Sequence, residues 1–398
     1  MESFFAVCAP GLESIVAQEL HGLGLKIGSC AWSGAVGARF EGSIHDAQRA
    51  NLLLRCADRV LVRLGGFRAA AFSELEKRAR RLPWEKYLAP GRPVAFRVAS
   101  RRSRLYHEGA VAMRLPGAIA HRLGKPPVVA KFSEDPSSVI PQLIVVRLEN
   151  DYCTVSVDSS GDLLHRRGYR LATAKAPLRE TLACAILKAS GWDAVSPLLD
   201  PFCGSGTIPI EAALLAKKTP AGRARRFAFM DWPGFDAAAW EKLVAEHGEG
   251  PARAPRIMAS DRDAGAIRAA QANAERAGVA DLIEFSCRAI SAIEPPPAPG
   301  WLVTNPPYGV RLRGKNDLRD LYAQFGKVLR AKCAGWHAAL LCGDTRLLAG
   351  TGLGFEMKLS TLNGGLKVGL ASAKLLPGSG NATSRMGHPE PGPRPRFA

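Results

Sequence analysis

The chain has 398 residues, and 54 Lys plus Arg against 36 Asp plus Glu give it a formal net charge of +18. Its length suggests two or three domains, and an apolar fraction of 47% allows a sizeable core. The charge favours a polyanionic partner, most simply nucleic acid, and no apolar run reaches the roughly 20 residues of a membrane helix.

Nine cysteines are scattered and form no C-x-x-C pair, so neither a zinc knuckle nor a redox pair is indicated. Free thiols fit a cytoplasmic protein without a metal centre. The first nine residues lack the basic region and apolar core of a signal peptide.

Residues 3–9 read as a strand, and Pro10-Gly11 turns the chain. Leu12, Ile15, Val16, Glu19 and Leu20 recur at helical spacing until Gly22 and Gly24. A strand over 35–41, a helix over 44–56 and a strand over 60–64 follow, which suggests a small α+β unit with an antiparallel sheet. A similar style continues to residue 158, with a helix over 72–80 and a strand over 93–99. That strand runs into Arg101, Arg102, Ser103 and Arg104. The three arginines suit phosphate clamping and equally suit a solvated loop. Helical patterning over 109–123 is expected to break at Pro116-Gly117, because proline inside a helix costs about 3 kcal/mol. Strands over 144–148 and 153–158 pair around a turn at 149–151. A strand, a basic loop, a helix and a hairpin in this order resemble the THUMP domain of RNA-modifying enzymes. The resemblance implies an RNA-binding module over 1–158, with a ferredoxin-like segment first and the THUMP part from about 45.

Residues 159–176 change character and read as a linker. They carry Arg166, Arg167 and Arg170, placed on RNA in this reading. Pro177 opens a helix that runs to Ser190 and is capped by Gly191. A short strand over 197–199 then ends in Asp200-Pro201-Phe202-Cys203-Gly204-Ser205-Gly206-Thr207, and a helix over 208–217 follows. A strand, a glycine loop and a helix make a nucleotide-binding turn. Gly204 and Gly206 let the backbone approach a ligand, and the helix N-terminus favours a carboxylate. A dinucleotide fold fits less well. Pro209 stands where the third glycine of G-x-G-x-x-G belongs, and Asp261 lies far beyond the roughly 20 residues expected for a ribose acid.

The aromatics Phe227, Phe229, Trp232, Phe235 and Trp240 read as a satellite core in preference to a base-stacking surface. Asp261 ends a strand over 256–260, where a carboxylate can accept two ribose hydroxyls, and Asp263 suits the cap of a helix over 264–277. A strand over 282–287 ends in Arg288-Ala289-Ile290.

The short apolar run 301–303 leads into Asn305-Pro306-Pro307-Tyr308. Two prolines hold Asn305 rigidly extended at the strand's C-terminal end. The Asn305 side-chain oxygen and the Pro306 carbonyl can each accept one N–H of a planar amine, and Tyr308 can stack on the ring that carries it. A helix over 318–329, a strand over 338–342 and a hairpin over 355–375 around Asn363-Gly364-Gly365 complete the domain. From residue 377 the composition predicts disorder.

Asn305-Pro-Pro-Tyr resembles the motif of the S-adenosylmethionine-dependent amino-methyltransferases, which act on exocyclic amines of bases or on a glutamine amide. The stretch from Asp200 to Thr207 matches the first motif of that group. Residues 165–185 resemble the lead-in of the THUMP-containing guanine-N2 methyltransferases, which lies over the cofactor. Over residues 3–375 the chain resembles the bacterial large-subunit rRNA guanine-N2 methyltransferases, in the form without a fused second methyltransferase. The resemblance implies an α/β fold, a class I methyltransferase doubly wound sheet over 177–376 with a terminal antiparallel hairpin. It implies S-adenosyl-L-methionine held by Arg179, Glu180, Thr181, Asp200, Phe202, Cys203, Gly204, Ser205, Gly206, Thr207, Asp261, Arg262 and Asn305. Catalysis falls to Asn305, Pro306 and Tyr308, and the product is N2-methylguanine in 23S rRNA. Three places depart from the pattern: Pro116-Gly117 where the THUMP family has an uninterrupted helix, Ala289 where an Asp binds adenine, and Val310 where an acid is usual.

Transfer-RNA guanine-N2 methyltransferases share the module and the tetrapeptide. A protein-glutamine methyltransferase shares the tetrapeptide without needing the basic N-terminal half. A noncatalytic RNA-binding or ribosome assembly factor is the reading from another class, and the intact Asp200, Gly204, Gly206, Asp261 and Asn305 speak against it.

Overall fold

The structure, a computed structural model, describes residues 1–28, 36–130, 140–170, 178–248, 255–308 and 315–376. The first half forms one seven-stranded sheet from β1 (Glu2–Val7), β2 (Lys26–Ile27), β3 (Gly37–Gly42), β4 (Arg59–Arg68), β5 (Val94–Arg101), β6 (Gln142–Glu149) and β7 (Tyr152–Asp158). The spatial order is β2-β3-β1-β4-β7-β6-β5. Four helices join these strands: α1 (Glu13–Gly22), α2 (Ile44–Leu53), α3 (Phe72–Ala79) and α4 (Glu108–Leu123). β4 ties the first unit to the second. Its start pairs with β1 and its whole length beyond Val60 pairs with β7, so the two units share one continuous sheet.

Alternation explains the core of this sheet. Phe4, Ala6, Phe40, Val60 and Val62 point to one face and are fully buried with Val16 and Leu20 of α1. The β6–β7 turn uses Asn150 and Asp151, both at positive φ, as a tight hairpin requires. The Asp151 carboxylate accepts the Arg104 backbone N–H at 2.7 Å, so the turn pins the basic loop after β5.

The expected break at Pro116 does not occur; α4 runs unbroken for 16 residues. Val111, Leu115, Ala118 and Ile119 are buried along one helical face. Ala112, whose carbonyl loses its partner to the proline, is only partly buried. Packing of that face outweighs a propensity cost of about 3 kcal/mol.

The second sheet contains β8 (Leu198–Asp200), β9 (Ile257–Asp261), β10 (Ile283–Cys287), β11 (Trp301–Thr304), β12 (His337–Cys342), β13 (Glu356–Asn363) and β14 (Leu366–Lys374). Its order is β10-β9-β8-β11-β12-β14-β13. All neighbours are parallel except β14, which runs antiparallel to both β12 and β13. This is the doubly wound α/β sheet with a terminal antiparallel hairpin. The helices are α5 (Glu180–Ala189), α6 (Thr207–Ala216), α7 (Ala237–Glu246), α8 (Ala264–Arg276), α9 (Lys315–Lys332) and α10 (Thr345–Gly350). Strand order reverses between β8 and β11, and ligands bind at the carboxyl ends of strands at such a point. α5 starts at Glu180; Pro177, the expected opening residue, lies outside the described residues, as do Val310 and everything from 377.

The chain leaving β7 is tightly held. Ser159, Ser160 and Asp158 are fully buried. Asn51 of α2 donates to Ser159 Oγ at 2.8 Å and accepts from Ser160 Oγ at 2.6 Å. Deeper in the junction, Glu211 of α6 is fully buried and accepts from Tyr169 Oη and Cys184 Sγ, each at 2.9 Å. Arg167 lies 3.7 Å and Arg55 3.9 Å from the same carboxylate, so the first sheet's unit reaches into the second.

Candidate active site

β8 delivers Asp200 to the switch point, and the loop that follows depends on two left-handed glycines, Gly204 (φ 52°) and Gly206 (φ 85°). Their surroundings differ. A Cβ on Gly206 would lie 2.9 Å from Ala270 Cβ, so this glycine admits α8 against the loop. A Cβ on Gly204 would meet nothing within 4 Å, so only Gly204 faces open space.

Every turn of the loop is pinned. The Cys203 N–H donates to the Ser260 carbonyl at 3.0 Å, and the Gly206 N–H donates to the Cys203 carbonyl at 2.8 Å. Asn273 of α8 donates from Nδ2 to the Ser205 carbonyl at 3.1 Å. Arg276 holds Asn273 and also donates from Nε to the Tyr169 carbonyl at 2.8 Å. Asp263 caps α8 by accepting from the Gly265 and Ala266 N–H groups at 2.7 and 3.2 Å.

Asp261 closes β9 with its carboxylate on the loop. One oxygen accepts the Gly204 N–H and the other the Asp263 N–H, both at 3.0 Å. Each carboxylate oxygen has a further acceptor position, and the residue is half-exposed, so two more donors fit. Asp200 is 1% exposed. Burial pushes its carboxyl up to about 7, against hydrogen bonds from Thr304 Oγ1 (2.6 Å) and the Phe202 N–H (3.2 Å), while the Asp261 charge adds to the rise.

Arg170 and the start of α5 lie beside this loop. Arg170 pairs with Glu180 at 3.2 Å and donates to the Leu178 carbonyl (2.6 Å) and Thr207 Oγ1 (2.8 Å). Glu180 is 2% exposed, and burial pushes it up to about 7 while Arg170 opposes the rise. Its Oε2 is buried without a hydrogen-bond partner among the described residues. Thr181 donates to Asp58 of the N-terminal unit at 3.3 Å. Arg179 and Arg262 are exposed.

β11 buries Leu302, Val303 and Thr304 completely and presents Asn305 at its end. Asn305 is half-buried, and its Oδ1 is shielded from solvent with no hydrogen-bond partner among the described residues. Pro306 is buried, and the Pro307 carbonyl accepts from Tyr322 Oη at 3.3 Å. Tyr308 lies against Gly343, where an added Cβ would come 3.1 Å from the ring. Its hydroxyl accepts from Asn363 Nδ2 at 2.9 Å. The sequence reading gave this hydroxyl no role, and the structure gives it a partner.

Phe202 makes an edge-to-face contact with Phe325 at 5.4 Å, and Cys203 is 7% exposed with its thiol pushed up by burial. Arg167 was expected on RNA, yet it is 4% exposed and donates to the Leu164 and Arg55 carbonyls at 2.6 Å. Arg170 was expected there too and is held inward by Glu180. Reaching a phosphate would strip either guanidinium of buried partners. Arg166 pairs with Asp162 at 3.4 Å, and Arg101, Arg102 and Arg104 are exposed. Ala289 is exposed beside Arg288, whose N–H donates to the Asp261 carbonyl at 3.0 Å. Sequence reasoning missed Thr304, Asn273, Arg276 and Asn363, which hold the site from a distance.

The aromatic insert forms a satellite core: Phe227 stacks on Phe229 at 5.2 Å, and Trp240 packs edge-on against both. A cavity of about 420 Å³ beside it is lined by Arg92, Asp162, Arg226 and Asp231 and includes none of the loop residues above. Among the described residues no cluster of three or more metal-ligating side chains occurs, and no helix is long and apolar enough to cross a membrane.

Comparison with known proteins places these features. Residues 167–355 match the family described as "RMKL-like, methyltransferase domain", and residues 3–61 match the "RlmL ferredoxin-like domain". The chain is 36% identical over 400 residues to the "Ribosomal RNA large subunit methyltransferase K/L" of Methylococcus capsulatus, covering 97% of this chain and 53% of that protein. It thus spans about half the length of the curated K/L relatives it matches. It is 34% identical to "Putative RNA methyltransferase slr0064" of Synechocystis sp., covering 94% of this chain and 96% of the relative. Among solved structures, SMU.472, "a putative methyltransferase complexed with SAH", has a TM-score of 0.82 at 30% identity and covers 94% of this chain and 98% of its own. A Listeria monocytogenes structure named as a "predicted N6-adenine-specific DNA methylase" has a TM-score of 0.81 at 31% identity, covering 93% and 95%. With matches along both chains' full length and a class I methyltransferase sheet behind a ferredoxin-like start, the chain belongs to the RMKL-like methyltransferase family.

Proposed function

We propose that this chain is an S-adenosylmethionine-dependent RNA methyltransferase that forms N2-methylguanine in 23S rRNA of the large ribosomal subunit. The observation that carries the reading is the Asn305 Oδ1. Among the described residues it is a buried acceptor without a partner at the C-terminal edge of the sheet, and leaving such a group unpaired costs about 1–3 kcal/mol. An exocyclic N–H would satisfy it.

The residues fit the donor. Gly204 leaves open space, the Asp261 carboxylate has acceptor positions for ribose hydroxyls, and the unpartnered Glu180 Oε2 suits an ammonium group. The α6 N-terminus after Gly206 suits a carboxylate. Backbone groups at 287–289 take over adenine recognition where Ala289 cannot. S-adenosylmethionine, when bound, supplies an electrophilic methyl group on a sulfonium.

The chain's own task is to position a poor nucleophile. Asn305 Oδ1 and the Pro306 carbonyl hold the two amine N–H groups, which turns the nitrogen lone pair out of conjugation with the ring. Tyr308 stacks on the base. No strong base is required before attack, because the amine proton becomes acidic only as the new bond forms. Catalysis is mainly positioning and electrostatics.

RNA binding falls to residues 1–158, read as the ferredoxin-like segment and a THUMP unit, with the methyltransferase domain over 177–376. Arg101, Arg102 and Arg104 are exposed on a loop held by the Asp151 turn. Phosphate contacts there offset the few kcal/mol needed to flip a paired guanine. The rRNA names of the K/L relatives support rRNA over tRNA, and that substrate implies a cytoplasmic location. Mass mapping of nucleic acid from cells lacking the protein tests the reading. The expected result is loss of one N2-methylguanine from 23S rRNA. Loss from tRNA alone would make it a tRNA enzyme, and loss of N6-methyladenine from DNA would overturn the guanine assignment.

A further inference from the structure

We infer that the N-terminal unit sets the position of Tyr308 through the terminal hairpin, with Gly11, Ser360 and Asn363 acting as positioning residues. The inference rests on the reading of Tyr308 as the platform for the target base.

Three contacts make the route. Gly11, in the turn between β1 and α1, has a φ of 86° and lies so close to β13 that an added Cβ would run into the Ser360 carbonyl oxygen. The same Cβ would lie 3.9 Å from Leu359 Cδ1. Leu359 packs against the large core cluster that contains residues of both halves of the chain. Three residues beyond Ser360, Asn363 closes the β13–β14 ladder opposite Leu366 and donates to the Tyr308 hydroxyl at 2.9 Å.

β13 suits this role. It is the edge strand of its sheet, so a single ladder, to β14, holds it. Its register shifts between Met357 and Leu359, just before Ser360, so that ladder is least regular where Gly11 presses on it. The rest of the N-terminal unit is anchored nearby on α5 through Lys188–Glu19 at 3.4 Å and Thr181–Asp58 at 3.3 Å. Among the described residues, the contacts from Gly11 to Ser360 and Leu359 and from Asn363 to Tyr308 are made outside the 200–207 loop. A shift of the hairpin end would therefore move Tyr308 while leaving Asp200, Gly204 and Asp261 in place.

The test is single-turnover methyl transfer by the full chain, with saturating S-adenosylmethionine, to 23S rRNA isolated from cells lacking the protein. Asn363→Ala and Tyr308→Phe are each expected to slow transfer about tenfold, within the range that misplacement of a reacting group produces. The double variant is expected to be no slower than Tyr308→Phe alone, because that change already removes the contact with Asn363. Asn363→Asp, which can accept the phenol proton, is expected to recover most of the rate. Gly11→Ala is expected to slow transfer about threefold or more in the wild-type background and hardly at all in the Asn363→Ala background. Leu359→Ala, which trims the same contact from the hairpin side, serves if Gly11→Ala fails to fold. Donor affinity measured by calorimetry should stay within about twofold throughout, whereas a general loosening of the domain would lower it too. Independent, multiplicative losses for Gly11 and Asn363, or wild-type rates for Asn363→Ala, overturn the inference. Asn305→Ala and Tyr308→Ala are the control. If both retain wild-type turnover the base-platform reading itself fails, and if both collapse while Gly11 and Asn363 act independently only the coupling fails.

Discussion

Thr304 and Asp200 sit at the ends of neighbouring strands, and the threonine hydroxyl donates to the buried aspartate at 2.6 Å. This bond locks the end of β11, which carries Asn305, to the end of β8, which carries the glycine loop. Thr304→Val keeps the shape and removes the donor. The Asp200 carboxylate then loses one of its two hydrogen bonds, a loss of about 1–3 kcal/mol for a buried charged acceptor. We expect lower stability by that amount in urea denaturation and weaker donor binding by calorimetry. A variant with wild-type stability would mean that the two strand ends are set by the sheet alone.

The same aspartate gives a pH dependence. Burial raises Asp200 and Glu180 to about 7 each, above the ordinary carboxylate range. Between about pH 4 and 7 the folded chain therefore binds more protons than the unfolded one. Stability from these groups is full below about pH 4 and is lost as pH rises through about 7. Melting temperature without donor should fall across that window, and Asp200→Asn should flatten its share of the slope. A rise in melting temperature over the same range in wild type, reversed by Asp200→Asn, would contradict the sign.

Much of this was legible in the sequence because the chemistry is local. The glycine loop between Asp200 and Thr207, the Asn-Pro-Pro-Tyr turn and the Asn363-Gly-Gly hairpin each depend on residues adjacent in the chain. What holds them is not local. Thr304 meets Asp200 across 104 residues, Asn273 meets Ser205 across 68, and Asn363 meets Tyr308 across 55. No periodicity or spacing reports such pairs. The inward turn of Arg167 has the same cause, since its partners Arg55 and Glu211 come from opposite halves of the chain. At Pro116 a local rule misled, because the buried face of α4 contributes more than the proline costs.

Donor binding can be probed at Asp261. Asp261→Ala should weaken S-adenosylmethionine binding by about 1–3 kcal/mol, the scale of hydrogen bonds to a charged group. The structure adds a second effect, because the side chain also accepts the Gly204 and Asp263 N–H groups. Asp261→Asn keeps one acceptor oxygen and should lose less. Calorimetry separates the two, and unchanged affinity in folded Asp261→Ala would move the ribose contact elsewhere.

Glu211 tests the junction between the two halves. Its fully buried carboxylate faces Arg55 and Arg167 and accepts from Tyr169 and Cys184. Glu211→Ala leaves two buried guanidinium groups without their counter-charge, and removing one partner of a buried pair costs about 3–5 kcal/mol. Urea denaturation should show a loss of that size. A loss under about 1 kcal/mol would show that backbone carbonyls alone suffice for Arg55 and Arg167.

The proposed mechanism rests on Asn305, so its variant is the sharpest test. Asn305→Ala removes a buried acceptor that has no partner among the described residues and leaves the glycine loop untouched, since Asp200 accepts from Thr304 and Phe202 and Asp261 accepts from Gly204 and Asp263. Loss of one acceptor used in the transition state should slow single-turnover methyl transfer about 10²–10³-fold. Donor affinity should barely change. Tyr308→Ala should act differently and mainly weaken capture of the base, because stacking contributes roughly 1–3 kcal/mol per base. Folding stability gives a further check. An orphaned buried oxygen is a cost to the apo protein, so Asn305→Ala should melt no lower than wild type, and the two effects together would identify a group kept for chemistry at the expense of stability. Turnover within a few-fold of wild type would remove Asn305 from the mechanism, and loss of donor binding in a folded variant would make it a cofactor residue instead.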